Sequence, residues 1–131
     1  MQTILLVDDE PDAVEIYAML LEMRGYRVIS ASNGDEALRQ IGEIRPDVIV
    51  TDWMMPIMDG AELCSRLRAE TSPYRDIPIV VASAAMQLPE GVQDMYDAFV
   101  RKPITIDDLI DVLESVAKGP AGSSRPQSLP G

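Results

Sequence analysis

Histidine is absent from the 131-residue sequence. That removes the usual zinc ligand sets, Ser–His–Asp triads and imidazole general bases. Cysteine occurs once, as Cys64, so no internal disulfide can form, which fits a reducing compartment. Cys64 falls on a helix-spaced apolar stripe and reads as inert packing. No apolar run approaches the ~18 residues a transmembrane helix requires, and the first residues carry no signal-peptide pattern. The expectation is a cytoplasmic chain with no membrane partner. Basic residues are scarce: 11 Lys and Arg stand against 22 Asp and Glu, a net charge of −11. A surface that acidic repels phosphate backbones and anionic lipid, which argues against direct nucleic-acid binding. No Gly-rich dinucleotide loop or Walker sequence follows any apolar run, which weakens a nucleotide-binding reading.

The length suits one domain, and 47% apolar with 25% charged residues is an ordinary globular balance. Residues 118–131 hold three Gly, three Pro and three Ser, a composition that builds no packed core. The folded domain is therefore expected over 1–117, with 118–131 a flexible tail or linker. Within 1–117, short apolar runs alternate with helical patterns. Ile4 to Val7 precedes a helix from Pro11 to Arg24 that carries Val14, Tyr17, Ala18 and Leu21 on one face. Tyr26 to Ser30 reads as a second strand, and Asn33 caps a helix from about Gly34 with Ala37, Leu38 and Ile41 inward. Val48 to Val50 forms a third strand, and Leu63, Cys64 and Leu67 stripe the next helix. Ile77 to Val81 and Ala98 to Val100 are the fourth and fifth strands. Thr105 caps a last helix whose apolar set is Ile106, Leu109, Ile110, Leu113, Val116 and Ala117. Five βα units with near-continuous apolar strands predict a doubly wound α/β fold: a five-stranded parallel sheet with helices on both faces.

In such sheets, ligands bind beyond the carboxyl ends of the strands. Asp8, Asp9 and Glu10 follow the first strand, Thr51 and Asp52 the third, Ser83 the fourth, and Lys102 with Pro103 the fifth. Three carboxylates from Asp8, Asp9 and Asp52 would repel one another unless a cation sits among them. Hard divalent ions prefer such oxygen ligands, and Mg2+ typically takes one or two carboxylates, waters and a phosphate oxygen. For Asp8 and Asp9 taken alone, helix-capping acids explain the pattern equally well. No cap is due at Asp52. Lys102 is the only lysine within 1–117 and suits a phosphate or carboxylate as a point charge. Alone, it would be a plain surface lysine at a strand end. Ser83 alone fits a turn, Phe99 alone fits core, and the eight Met residues read as gap-filling core and loop residues.

The combination is more specific than any member, and it resembles the receiver domain of bacterial response regulators, chemotaxis regulators included. The resemblance is carried by Ile4-Leu5-Leu6-Val7-Asp8-Asp9-Glu10, by Thr51-Asp52-Trp53-Met54-Met55-Pro56-Ile57-Met58-Asp59-Gly60, and by Lys102-Pro103. Asn33-Gly34 with Ala37-Leu38 adds to it, and the match runs from residue 3 to about 117. It implies a flavodoxin-like sheet in strand order 2-1-3-4-5 with five helices. It also implies that Asp52 accepts a phosphoryl group from a sensor histidine kinase or a phosphotransfer protein. Asp9, Asp52 and the main-chain carbonyl of Met54 would ligate Mg2+ directly, with Asp8 acting mostly through water. Lys102 and Ser83 would hold phosphoryl oxygens, and Ser83 with Phe99 would form the switch. A downstream output protein or domain would read the switch from the surface of the fourth helix, fifth strand and fifth helix. Phosphorylation-dependent dimerisation is compatible with the family, and catalysis would be limited to the chain's own phosphorylation and dephosphorylation.

Ser83 and Lys102 are only 19 residues apart, shorter than the family pattern by roughly one helical turn. The interval contains Pro89 and Gly91, so the fourth helix is expected to be short or irregular. A cis Lys102–Pro103 peptide is expected at the rim. Met54 and Ala85, two positions after Asp52 and Ser83, cannot hydrogen-bond an attacking water, which points to a long-lived acyl phosphate. A Mg2+-dependent phosphohydrolase of the haloacid dehalogenase type also uses an aspartyl phosphate. That class needs a second acid two positions after its nucleophile, which Asp52 lacks, and the length leaves no room for a cap domain. A pseudo-receiver that is never phosphorylated is disfavoured by intact Asp9, Asp52, Ser83 and Lys102. The chain as a receiver piece of a longer regulator or hybrid kinase remains open through its linker-like tail.

Overall fold

Side chains alternate across a strand, and in the three central strands both alternating sets are buried, so the sheet must be covered on both faces. The computed structural model describes residues 2–55, 57–84 and 88–118. Five parallel strands, β1 (Thr3–Val7), β2 (Arg27–Ala31), β3 (Val48–Thr51), β4 (Ile79–Ser83) and β5 (Ala98–Arg101), form one sheet in the order β2-β1-β3-β4-β5. Leu5, Val7, Ile49, Ile79 and Val81 face one core with helices α2 (Gly34–Glu43) and α3 (Gly60–Leu67). Ile4, Leu6, Val48, Val50, Val80, Ala82 and Val100 face the other, covered by α1 (Pro11–Met23) and α4 (Ile106–Lys118). Cys64 is fully buried in the first core, and burial, the largest cause, pushes its thiol pKa up to about 12, which keeps it inert.

The expected helix stripes are the ones that pack. Val14, Tyr17, Ala18 and Leu21 of α1 meet the second core, and Ala37, Leu38 and Ile41 of α2 meet the first. Ala117 is an exception and lies exposed at the end of α4. Three helix starts are capped by side chains: Asn33 accepts from the Glu36 amide at 2.9 Å, Asp59 from Glu62 at 2.9 Å and Thr105 from Asp108 at 3.1 Å. Each such cap is worth about 1 kcal/mol.

Strand bounds and the helix count are corrected: β2 is Arg27–Ala31 rather than Tyr26–Ser30, and Thr51, expected just past the third strand, is its last residue. Strand β4 begins at Ile79 rather than Ile77 and runs on to Ser83, which was expected beyond a strand ending at Val81. Pro78 lacks the amide that an earlier ladder bond would need. The sheet also has four α-helices among the described residues instead of five. Between β4 and β5 the described residues hold only a 3-10 turn at Gln93–Met95. Pro89 cannot donate within a helix, and Gly91 adopts φ 86°, so the local sequence resists a regular helix. Leu88, Met95 and Tyr96 from this segment pack on the first core in its place. Residues 119–131, most of the expected tail, lie outside the described residues, as does Ala85.

Two glycines let the β3–α3 loop close against the sheet. A Cβ on Gly60 would stand 2.3 Å from the Asp52 carbonyl oxygen and 2.8 Å from Trp53 Cα. A Cβ on Gly34 would stand 2.7 Å from Met58 Cγ, where the Gly34 amide donates to the Met58 carbonyl at 3.0 Å. Gly60→Ala should therefore lower unfolding free energy by about 1–3 kcal/mol, read as a lower urea midpoint with unchanged slope. An unshifted midpoint would refute this close-packing account.

Candidate functional site

Three residues at the carboxyl rim are fixed by hydrogen bonds that extend the sheet ladder one step past the strands. The Asp8 amide donates to Ala31 of β2 at 3.1 Å, the Asp52 amide to Val7 of β1 at 2.9 Å, and the Lys102 amide to Ser83 of β4 at 2.8 Å. Asp8, Asp52 and Lys102 continue the parity of Leu6, Val50 and Val100, so they emerge on the α1/α4 side. There they line one small cavity with Tyr17 and Leu109. The Lys102–Pro103 peptide is cis, as expected.

Ligand oxygens of Asp8, Asp9 and Asp52 all lie within 4.8 Å of one another. Lys102 Nζ is 2.5 Å from Asp8 Oδ2 and 3.4 Å from Asp52 Oδ2. Three carboxylates against one ammonium leave two negative charges in excess at the cluster. Burial by itself would lower the Lys102 pKa. The hydrogen bond to Asp8 and the charges of Asp52 and Asp8 together outweigh burial and hold it above its ordinary value. Lys102 is therefore cationic at neutral pH, and what this pair adds to stability is lost only as pH rises through the folded-state pKa. An all-oxygen, anionic donor set with this spread fits a hard divalent cation.

Asp52 is oriented by its own loop. Its Oδ1 accepts from the Trp53 amide at 2.7 Å and the Met54 amide at 3.4 Å, which leaves Oδ2 toward Lys102. Asp8 is held likewise, with Oδ1 accepting from the Glu10 amide at 3.0 Å. The loop beyond Asp52 exposes Met54 (70%) and Ile57 (82%), and Ile57 sits at φ 68°. A β-branched residue there is strained.

Ser83 and Phe99 lie on the opposite parity. Ser83 is buried, and Phe99, beside Val81 in the register, is half-buried against the first core. The expected residues Asp8, Asp9, Asp52 and Lys102 thus meet in one cluster, while Ser83 and Phe99 stand on the other face of the same strand ends. Sequence reasoning placed Thr51 beside Asp52 without assigning it a contact, and it missed the part played by Tyr17. Thr51, fully buried, donates its hydroxyl to the Asp52 carbonyl at 2.9 Å. Tyr17, read only as part of an apolar stripe, donates to the Ile104 carbonyl at 3.0 Å. A tyrosine on an apolar stripe carries a hydroxyl that needs a partner, and that was the available signal.

The response regulator receiver domain profile matches residues 4–114. The phosphate regulon transcriptional regulatory protein PhoB of Pseudomonas aeruginosa is 35% identical over 130 residues, covering 95% of this chain and 56% of that protein. This chain thus spans about half the length of the curated relatives it matches. The signal receiver domain of a histidine kinase from Syntrophus aciditrophicus superimposes with a TM-score of 0.81 at 30% identity, covering 98% of this chain and 96% of that one. The response regulator TrrA of Thermotoga maritima, solved in complex with Mg(2+)-BeF, gives 0.80 at 28% identity, covering 88% and 99%. Among the described residues no helix is long and apolar enough to cross a membrane. A profile match over nearly the whole folded part, on the expected fold, makes this chain a member of the response regulator receiver domain family, a signalling module rather than an enzyme family.

Proposed function

We propose that the chain is the phosphoacceptor of a two-component phosphorelay, with Asp52 taking a phosphoryl group from the phosphohistidine of a sensor kinase or phosphotransfer protein. The observation that carries this reading is the convergence of Asp8, Asp9 and Asp52 with Lys102 at one rim of the sheet. Because Oδ1 is engaged by two main-chain amides, Oδ2 attacks. Its bond to phosphorus forms as the donor's P–N bond breaks, yielding an acyl phosphate and free imidazole. Mg2+ fits the donor set of Asp8, Asp9 and Asp52, with the Met54 carbonyl as a further ligand, and when bound it supplies positive charge opposite the phosphoryl oxygens. The complex of TrrA with Mg(2+)-BeF supports the same assignment.

Lys102 already stands between two carboxylates and needs only to follow the incoming phosphoryl oxygens with its ammonium. The Ser83 hydroxyl, one strand away, is the second donor to them. Movement of Ser83 would then admit further burial of the half-buried Phe99 ring, and the ring has no hydroxyl to fix an intermediate position. The catalytic role ends with the chain's own phosphorylation and dephosphorylation. An output protein or domain, whether on a longer chain through residues 118–131 or separate, reads the new state. Phosphorylation-dependent dimerisation and a cytoplasmic site of action complete the proposal.

Incubation with acetyl phosphate and Mg2+ should add one phosphate by intact mass, and Asp52→Asn should add none. Equal labelling of both proteins would end the assignment. Asp9 is exposed and accepts no hydrogen bond among the described contacts, so Asp9→Asn deletes little but charge. That variant should melt roughly 2–4 °C higher than wild type without metal and lose most of the stabilisation that millimolar Mg2+ gives wild type. An unchanged metal response would remove Asp9 from the ligand set. Met54 is exposed and cannot orient a water, so Met54→Asn should shorten the acyl-phosphate half-life by about tenfold. Equal half-lives would show that water orientation does not limit hydrolysis.

A further inference from the structure

Lys102 carries its charge on a flexible four-carbon stem, so the position of its main chain decides which oxygens Nζ can reach. That main chain is anchored on two sides. Upstream, the Lys102 amide donates to the Ser83 carbonyl at 2.8 Å. Downstream, the Ile104 carbonyl accepts the Tyr17 hydroxyl at 3.0 Å, across 87 residues of sequence. Tyr17 belongs to α1, which starts at Pro11 directly after the acids Asp8, Asp9 and Glu10. One rigid helix therefore begins at the carboxylate loop and ends its second turn on the lysine loop. The Tyr17 ring also lines the cavity beneath Asp8, Asp52 and Lys102, so the hook lies under the cluster and not on a distant surface.

Resting on the phosphoacceptor reading, we propose that Tyr17 is a positioning residue for Lys102. Its hydroxyl holds the Lys102–Ile104 segment against α1 and so keeps Nζ within reach of both Asp8 and Asp52. The margin is narrow. Nζ stands 2.5 Å from Asp8 and 3.4 Å from Asp52, and a shift of about 1 Å away from Asp52 would break the second contact. Without the hydroxyl, the amine would settle on Asp8, the nearer and more buried acid, and meet the phosphoryl group late. A second tie on this face, the ion pair at 2.5 Å between Arg24, just past the end of α1, and Asp107 of α4, does not touch the lysine segment. It supplies the control for general loosening of that face.

Tyr17→Phe keeps the ring and deletes only the hook. With acetyl phosphate and saturating Mg2+, its phosphorylation rate constant should fall on the order of tenfold, while the Mg2+ dissociation constant stays within about twofold, since no ligand is altered. Arg24→Gln should phosphorylate like wild type. The sequence contains two lysines, Lys102 and Lys118, so protein labelled with 13Cε-lysine gives two lysine signals at neutral pH. Tyr17→Phe should displace the Lys102 signal and leave the Lys118 signal in place. Wild-type kinetics in Tyr17→Phe, an equal loss in Arg24→Gln, or an unmoved Lys102 signal would each overturn the inference. If the wild-type chain takes no phosphate, the phosphoacceptor reading falls, and the Lys102 signal alone decides the role of Tyr17.

Discussion

Everything at the carboxyl rim depends on holding three carboxylates within 4.8 Å of one another. Left to themselves, these groups would push apart toward solvent. Two devices oppose this. The sheet ladder continues past β1, β3 and β5 through the amides of Asp8, Asp52 and Lys102, so the backbone cannot relax away. The Lys102 ammonium then compensates one of the three charges from inside the cluster. The remaining negative charge suits a hard divalent cation, which is the chemistry the proposed function draws on.

The two cores divide the labour. The face covered by α1 and α4 carries the charged cluster on the continuation of its own strand parity, with Leu6, Val50 and Val100 beneath Asp8, Asp52 and Lys102. The face covered by α2 and α3 carries Ser83 and Phe99. The expected switch pair is thus separated from the acids by the thickness of the sheet edge, while backbone hydrogen bonds join the two sides at Ser83 and Lys102. Close approach of the β3–α3 loop, admitted by Gly34 and Gly60, sets the Trp53 and Met54 amides against Asp52 Oδ1. Gly60, packed directly on the Asp52 backbone, thereby helps set which Asp52 carboxylate oxygen is left facing Lys102.

Among the described residues between β4 and β5 there is no α-helix, and Leu88, Met95 and Tyr96 pack on the first core from a segment whose regular part is a three-residue 3-10 turn. Such a segment has fewer internal hydrogen bonds than a helix to hold its shape. In this family the fourth helix and its neighbours commonly carry output. Here the described residues beside Phe99 hold only a 3-10 turn.

Much of this was legible in the sequence. Alternating apolar runs specify strands, capped stripes specify helices, and strand ends specify the rim, because these follow from local periodicity and local hydrogen bonding. Asp8, Asp9, Asp52 and Lys102 were named on that basis, and Pro89 with Gly91 marked the irregular fourth connection. What local pattern could not reveal was direction and partnership between distant segments. The start of β4 shifted by two residues because the ladder to β3, not the apolar run, decides where pairing begins. Only the folded chain decided that Asp52 Oδ1 is occupied, that Lys102 lies nearer Asp8 than Asp52, and that Tyr17 reaches Ile104. The Asp52 contact arises from close approach of the β3–α3 loop, and the Lys102 and Tyr17 contacts from packing α1 and α4 on one face of the sheet. These are constraints between distant segments that no short stretch of sequence carries.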